Sequence, residues 1–299
     1  MGLFKKKEKK ADTEDFTQDL NEKAEYQNLY MIHLLFEEKP VKPDVETIQK
    51  AVIEKFGDVD VVSDSPQLTS FAVKKYLSHF KDASLPPQII MAEVHEFDQE
   101  SIDGFSRSQL WEVPDGNELL EKCRYELFLF DMMAAGMDYK ERGKMLADWL
   151  ETALSLFPDC TAVWVKPAGK LFTASQVRNF NLPREDRFVR LGVNVRFFNI
   201  QGSDDKMIDT LGLYAFGLPD IQYHFHGLVP DDVVRHAYSV ASYLYEANAP
   251  VNSGETIDGL KGGELSPDVQ WVCQYEESLI QPVRLVMDIC PGEYAAGNR

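Results

Sequence analysis

The chain has 299 residues, of which 44% are hydrophobic and 27% are charged, and its formal net charge is −18. This composition is ordinary for a globular protein, and the length predicts about two domains with a core large enough to need no disulfide or metal staples. The acidic balance argues against nucleic-acid binding, because contacts to phosphate require clustered lysine and arginine.

The N-terminus differs in charge from the rest of the chain. The first ten residues, MGLFKKKEKK, contain five lysines and one glutamate. They lack the apolar core of a secretory signal, and we expect residues 1–26 to form a disordered basic tail. An open alternative is weak attraction to an anionic membrane surface, worth about 1 kcal/mol per lysine. The lysines concerned are Lys5, Lys6, Lys7, Lys9 and Lys10.

The cysteines and the apolar runs indicate a compartment. No run approaches the roughly 20 apolar residues that a membrane-spanning helix needs. The four cysteines are far apart and form no Cys-x-x-Cys motif, which argues against a zinc ribbon, a redox motif and a disulfide scaffold. They are Cys123, Cys160, Cys273 and Cys290. Because the sequence has no export signal, we expect these cysteines to be reduced thiols in a cytoplasmic protein.

The first half of the chain predicts a mixed domain. A buried strand is expected over 29–36, followed by a helix whose apolar stripe ends before Gly57. Three more strands are expected, at 59–63, 70–80 and 88–97. The segment 98–117 is polar and contains glycine and proline, which is typical of a domain boundary. We therefore predict an N-terminal α+β domain over residues 27–117.

The remainder predicts a second domain over residues 118–299, with one continuous unit as the alternative. Its longest helix is expected over 138–157, where apolar residues keep helical spacing. Thr173 and Gln176 form a capping-box pattern, and Pro230 is placed to begin a further helix. Strands interleaved with single helices predict an α+β fold with two related sandwiches, each a mostly antiparallel sheet with helices packed on one face.

The stretch from Arg187 to Gly227 reads as three strands that end in a His-x-His pair. In its first and third strands, polar and apolar side chains alternate, so each strand has one polar face. If these strands are neighbours in one antiparallel sheet, their polar faces form a patch about 10 Å across, suited to an anion or a carboxylate. This candidate polar patch comprises Arg190, Asn194, Arg196, Gln222, His224 and His226.

Several segments resemble a known family. Among them are FGDVDVVSD, RSQLWEVPDG, GVNVRFFNIQG and DTLGLYAFGLPDIQYHFHG. These stretches are similar to a bacterial family called domain of unknown function 4261, and the resemblance runs from about residue 27 to the C-terminus. The family's defining segment resembles residues 209–220. Because the family has no established activity, the resemblance implies no cofactor and no catalytic residue.

The histidines allow a metal site as an alternative. His224 and His226 on one strand face can bind a divalent ion together, with His236 or Asp209 as a third ligand. Arginines on the same face raise the electrostatic cost of placing a dication there. Ordinary structural hydrogen bonds are the other interpretation. We therefore predict no cofactor, with a divalent metal as the alternative.

Trp111 lies in the polar segment that predicts the domain boundary. A tryptophan in such a position can be an exposed anchor for a partner protein, because its ring combines a large apolar area with a polar tip. Alternatively, it folds back over the seam between the two domains.

No motif in the sequence identifies a reaction. It contains no Gly-x-Ser-x-Gly elbow, no complete phosphate loop and no dinucleotide-binding glycine pattern. We therefore expect a non-catalytic cytoplasmic bacterial binding protein, either immunity-like or a stress accessory, whose acidic surface engages a protein partner. The alternative is a metal-dependent hydrolase that uses the His-x-His pair.

Overall fold

The computed structural model describes residues 17–180 and 187–297, which form an α+β fold of two sheets and a small separate hairpin. The strands are β1 (Met31–Phe36), β2 (Val59–Asp64), β3 (Leu68–Val73), β4 (Ser78–His79), β5 (Ser84–Leu85), β6 (Gln88–Glu96), β7 (Tyr125–Met132), β8 (Ala162–Val165), β9 (Lys170–Thr173), β10 (Asn194–Asn199), β11 (Lys206–Leu211), β12 (Asp220–Phe225), β13 (Thr256–Lys261), β14 (Glu264–Glu277) and β15 (Leu285–Cys290). The α-helices are α1 (Val45–Phe56), α2 (Gly104–Arg107), α3 (Gly116–Lys122), α4 (Tyr139–Leu156), α5 (Ala174–Arg178), α6 (Arg187–Gly192) and α7 (Pro230–Ala247).

The first sheet has the strand order β2-β3-β6-β7-β1-β8-β9, and its neighbouring strands pair antiparallel. Helices α1 and α4 pack on one face, where Trp149 and Leu150 of α4 are fully buried. On the other face, Leu110 and Leu120 pack with Trp164 of β8 in a second, smaller hydrophobic cluster. The segment that contains α2 and α3 therefore covers part of the first sheet.

The second sheet has the strand order β10-β11-β12-β15-β14-β13, with β12 and β15 parallel and the other neighbours antiparallel. Helix α7 packs on one face through an apolar stripe that includes Val233, Ala237 and Leu244. The opposite face contacts the loop 278–284, whose Arg284 reaches side chains of β11 and β12. This loop and α7 enclose the middle of the sheet.

One hydrophobic core includes side chains from both sheets. Phe188 of α6 lies at the junction, with its ring centroid 5.7 Å from that of Tyr30 and 4.4 Å from that of Phe216. Strands β7, β8 and β9 complete the first sheet, so the boundary predicted between residues 117 and 118 falls inside that sheet. The polar composition of 98–117 suggested a linker, but this segment packs against a sheet face.

Part of the segment 1–26, for which a disordered tail is predicted, makes regular backbone hydrogen bonds. Within the described residues, the Ala24 N–H donates to the Val283 carbonyl at 2.9 Å and the Val283 N–H donates to the Glu22 carbonyl at 2.7 Å. Residues 22–24 therefore pair with the loop 278–284, and this backbone pairing needs no apolar periodicity in the sequence. The five lysines of the tail lie outside the described residues.

The predicted first strand of the central stretch is wrong in its first part. Residues Arg187–Gly192 form helix α6, and β10 begins only at Asn194. Periodicity alone does not separate a helix from a strand in so short an apolar run. The buried Lys170 ammonium donates to the carbonyl of Arg190, in the last turn of the helix, and to that of Val193, just after the helix. Arg190 is therefore not on a strand face.

Other local predictions are confirmed. The Thr173 side chain accepts the Gln176 N–H at 3.1 Å, and the Gln176 side chain accepts the Thr173 N–H at 2.8 Å, which completes the capping box. Gly57 ends α1 with φ of +82°, a conformation that L side chains rarely adopt. None of the helices in the described ranges has the length and apolarity that crossing a bilayer requires.

Candidate functional site

A row of polar side chains crosses the second sheet on the face opposite α7. Arg196 lies opposite Asp209, Asp209 lies opposite Gln222, and Gln222 lies opposite Asp288. Residues directly opposite each other project to the same side of a sheet, so these four share one face. Arg196 and Gln222 of the candidate polar patch therefore lie in one row, with β11 between their strands.

Arg196 and Asp209 form a buried bidentate ion pair. Arg196 Nε donates to Asp209 Oδ1 at 2.8 Å, and Nη2 donates to Oδ2 at 2.5 Å. Nη1 also donates to the Gln281 carbonyl at 2.9 Å, which joins the sheet to the loop that covers it. This pairing uses the rigid fork geometry of the guanidinium, and both groups are almost inaccessible to water.

Arg284, which is outside the predicted patch, completes a buried charge network with Arg196, Asp209 and Asp220. Arg284 Nη2 donates to Asp209 Oδ2 at 2.7 Å, and Nε donates to Asp220 Oδ2 at 3.2 Å. Burial raises the pKa of Asp220, whereas Arg284 and the hydroxyl of Thr210 act in the opposite direction. Two cations and two anions balance, so the network resembles a structural ion-pair cluster.

The side-chain amides of Asn194 and Gln222, both in the predicted patch, also make structural hydrogen bonds. Asn194 Nδ2 donates to the Gly169 carbonyl at 2.9 Å, which links the edges of the two sheets. Gln222 Nε2 donates to Asp288 Oδ1 at 3.0 Å, and Gln222 Oε1 accepts the Leu279 N–H at 2.7 Å. Both amides are buried. Their hydrogen bonds connect the second sheet to its surroundings.

The four residues predicted as metal ligands are not brought together. His224 Nε2 lies 3.8 Å from Asp205 Oδ2, too far for a hydrogen bond, and His226 is exposed beyond the end of β12. His236 lies on the other side of β12, where its Nδ1 is 2.7 Å from the Tyr223 hydroxyl. Asp209 is bound by two arginines. Among residues 17–180 and 187–297, no three His, Cys, Asp or Glu side chains are grouped to hold a metal ion.

Arg190 belongs to a different cluster, between α6, α7 and the edge of the first sheet. Arg190 Nη2 donates to Glu112 Oε2 at 2.6 Å, and the Tyr238 hydroxyl donates to Glu112 Oε1 at 3.0 Å. Lys170 Nζ lies 3.4 Å from Glu112 Oε1. Burial lowers the pKa of Lys170 to about 7, although Glu112 acts in the opposite direction. These side chains join elements of both sheets.

The buried Lys170 predicts a pH dependence of stability. Its pKa in the folded chain is lowered to about 7 from the ordinary 10.5, so the unfolded chain binds more protons between these values. The penalty for a charged Lys170 is full below about pH 7 and falls as pH rises toward 10.5. The free energy of unfolding of the wild type, relative to that of Lys170→Met, should therefore increase from pH 6.5 to pH 9.5. Urea unfolding of both proteins measures this difference. A difference that does not change with pH, as expected for exposed Lys39→Met, would contradict this assignment.

Trp111 lies at the edge of the second sheet and is 57% exposed. Its Nε1 donates to Gln109 Oε1 at 2.9 Å, and its ring centroid is 6.4 Å from that of Phe197 in β10. Gln109 Oε1 also accepts the Phe197 N–H at 3.0 Å, so this side chain covers part of the β10 edge. Trp111 therefore contacts the junction of the two sheets while leaving much of its ring accessible.

Exposed carboxylates are concentrated on the hairpin of β13 and β14, and we call residues 255–277 the acidic hairpin. This range contains six acidic residues and one basic residue, and β13 is an edge strand of its sheet. Its lysine pairs with Asp268. Glu255, Glu264 and Glu277 are exposed, and within the described ranges none has a basic side chain at ion-pair distance. No periodic pattern in the sequence distinguishes these carboxylates from other surface charges.

The turn of the acidic hairpin lies against the first turn of α7. Gly263 has φ of +86°, which L side chains rarely adopt, and a Cβ added there would lie 2.6 Å from Asp232 Oδ2. The exposed Asp231 is next to this contact in the chain. The negative charge of the hairpin therefore continues onto the start of α7.

Comparison with known proteins found one family model that matches part of the chain. Residues 209–290 match the model of a family described as domain of unknown function (DUF4261). The match begins within β11 and ends at the last residue of β15, so it covers α7, the acidic hairpin, Asp209 and Arg284. Neither a search of curated proteins nor a search of solved structures gave a match.

Proposed function

We propose that this chain, which carries a DUF4261 domain without an assigned activity, is a non-catalytic binding protein that engages a basic protein partner. The supporting observation is the acidic hairpin, where Glu255, Glu264 and Glu277 are exposed and have no basic partner in the described residues. Exposed charge of one sign steers an oppositely charged protein and fixes its orientation.

The internal use of the other charged groups supports a binding function. Asp209 and Asp220 form ion pairs with arginines, and Asp131 forms an ion pair with Arg142. A catalytic acid or base must reach a substrate proton within hydrogen-bond distance. These carboxylates are 0% exposed and already accept several hydrogen bonds, so they suit structural roles.

The location of the hairpin also supports partner binding. Its β13 strand is at the edge of the second sheet, and a register shift between Asp258 and Gly259 interrupts its pairing with β14. Irregular, charged edge strands oppose uncontrolled sheet extension. We therefore propose that the partner contacts the carboxylates rather than extending the sheet, and that both proteins are cytoplasmic. A basic enzyme that this chain neutralises is one partner of this kind.

The proposal is tested with a triple variant, Glu255→Gln, Glu264→Gln and Glu277→Gln. Partners are recovered by cross-linking in cells, identified by mass spectrometry, purified and titrated against each variant. We expect the triple variant to bind the partner at least tenfold more weakly, with a smaller dependence on salt, because charge attraction is lost. The matched control replaces three exposed glutamates of the first half, Glu38, Glu54 and Glu96, by glutamine. Equal affinity of the two triple variants would contradict the proposal.

A further inference from the structure

A cleft of about 500 Å³ opens at the junction of the two sheets, separate from the acidic hairpin. Met31 and Trp164 line it from the first sheet, and Arg196 and Leu211 line it from the second. Pro282, in the loop that covers the second sheet, also contributes to the lining. Its volume lies within the range of roughly 300–1,000 Å³ that is common for small-molecule sites.

Three charged side chains that line the cleft have no partner of opposite charge within the described ranges. Lys166 has no acidic group at ion-pair distance. Glu22 accepts a hydrogen bond from Gln281 Nε2 at 3.3 Å, and Asp103 accepts the Ser106 N–H at 2.7 Å as the N-cap of α2, but neither carboxylate has a basic side chain at ion-pair distance. Most other charged groups near the junction of the sheets are paired, including Arg190 with Glu112. The cleft therefore offers one cation and two anions to a ligand.

Arg196, which lines the same cleft, is held in place by its neighbours. Its contacts with Asp209 and Gln281 use three of its five N–H groups. The guanidinium carbon lies 5.7 Å from the ring centroid of Phe105 and 5.4 Å from that of Phe198. These contacts hold the planar group in one orientation, so Arg196 is a fixed part of the cleft wall.

Two anions beside the cation restrict the class of ligand. A phosphate with two charges would be repelled by Glu22 and Asp103, and a simple cation would be repelled by Lys166. A molecule with one carboxylate and one ammonium satisfies both signs of charge. The apolar surfaces of Met31 and Leu211 offer burial to an apolar side chain at about 25 cal/mol per Å².

From this arrangement we infer that the cleft binds a small apolar zwitterion, namely an apolar amino acid or a short apolar peptide. Its carboxylate contacts Lys166, and its ammonium contacts Glu22 or Asp103. Its side chain packs against Trp164 and the apolar lining. This site is independent of the acidic hairpin, so either proposal can fail without the other.

Titration calorimetry with chemically matched probes tests the class of ligand. The probes are L-phenylalanine, leucyl-leucine, phenylalaninamide, which lacks the carboxylate, and N-acetylphenylalanine, which lacks the ammonium. We expect at least one zwitterion to bind at millimolar or lower concentration, and each blocked form of phenylalanine to bind roughly tenfold more weakly than phenylalanine or not measurably. No binding of either zwitterion at millimolar concentration would overturn the inference. Equal binding of phenylalanine and its blocked forms would also overturn it.

Variants locate the site. Lys166→Gln and Glu22→Gln each remove one charge from an exposed residue and keep a polar side chain, so the fold should be retained. Each should weaken binding of the zwitterion by roughly tenfold, because one charge-assisted contact is lost. The controls Lys39→Gln and Glu38→Gln carry the same changes on another exposed segment. Binding that responds equally to controls and cleft variants would place the ligand elsewhere and overturn the assignment.

Discussion

Replacement of Arg284 by methionine is expected to lower the free energy of unfolding by about 3–5 kcal/mol at neutral pH. The change leaves Asp220 without its cation and removes one of the two arginines at Asp209. Both carboxylates are 0% exposed, so water does not replace the missing donor. Urea unfolding at pH 7 measures the loss, and a change below about 1 kcal/mol would contradict the role of the network.

The pH dependence of this variant gives an independent check. Burial already raises the pKa of Asp220, and Arg284 opposes that rise, so the variant should raise the pKa further. A carboxyl group with a raised folded pKa carries its penalty above that pKa and loses it as the pH falls. The defect of Arg284→Met should therefore be smaller at pH 5 than at pH 7. Lys261→Met, which removes an exposed ion pair with Asp268, should show little loss at either pH.

Replacement of Arg142 by methionine is expected to cost a similar amount, about 3–5 kcal/mol, for a different part of the core. Arg142 Nε and Nη2 donate to Asp131 at 2.6 and 3.0 Å, and Nη1 donates to the Tyr26 hydroxyl at 2.8 Å. The guanidinium carbon also lies 5.3 Å from the ring centroid of Phe216. One side chain thus joins α4, β7, the N-terminal segment and the turn before β12.

A double-mutant cycle separates the ion pair from general packing. Asp131→Asn keeps an oxygen that can accept the Tyr30 N–H, which donates to Asp131 Oδ1 at 2.7 Å. Combined with Arg142→Met, it should cost less than the sum of the two single changes, because no unpaired buried charge remains. Arg142→Lys should lower the free energy of unfolding by less than Arg142→Met does, because the ammonium keeps the charge but lacks the planar fork of the guanidinium. Additive losses in the cycle would show that the pair itself contributes no coupling.

Strongly local signals were sufficient to predict several elements of the fold. Asp138 caps α4 through the N–H groups of Lys140 and Glu141, and the apolar spacing of this helix places Trp149 in the core. The Thr173 capping box is likewise fixed by residues three apart. The α+β class followed from such elements, because each carries its periodicity within one short window.

Pairing between distant segments could not be predicted from the same patterns. Helix α6 resembled a strand because six residues fit both periods, and the carbonyls at its end are held by Lys170, which lies far away in the sequence. Arg284 was missed because its partners, Asp209 and Asp220, lie more than 60 residues earlier in the chain, and no local pattern reports which strands come together. The candidate polar patch correctly placed Arg196 and Gln222 on one face. The position of Asp209 between them depends on the register of β11, which one sequence does not reveal.

The rigid network and the acidic hairpin have complementary roles in this account. Arg284 also donates to the carbonyls of Ile280 and Pro282, so it holds the covering loop against the second sheet. The β14 strand leads directly from the hairpin into this loop. We therefore expect the hairpin to be presented on a rigid support, which lowers the entropic cost of binding a partner.

Site-specific photo-cross-linking in cells tests whether the acidic hairpin contacts a protein partner. A photoreactive residue is placed at Leu265 of the hairpin, which is 56% exposed, and in a parallel chain at Val41, which is 88% exposed in the first half. We expect a discrete cross-linked basic protein from position 265 and none from position 41. Its yield should fall when Glu255, Glu264 and Glu277 are glutamine. Cross-linking of the same proteins from both positions, or a yield unchanged by the three substitutions, would contradict the claim.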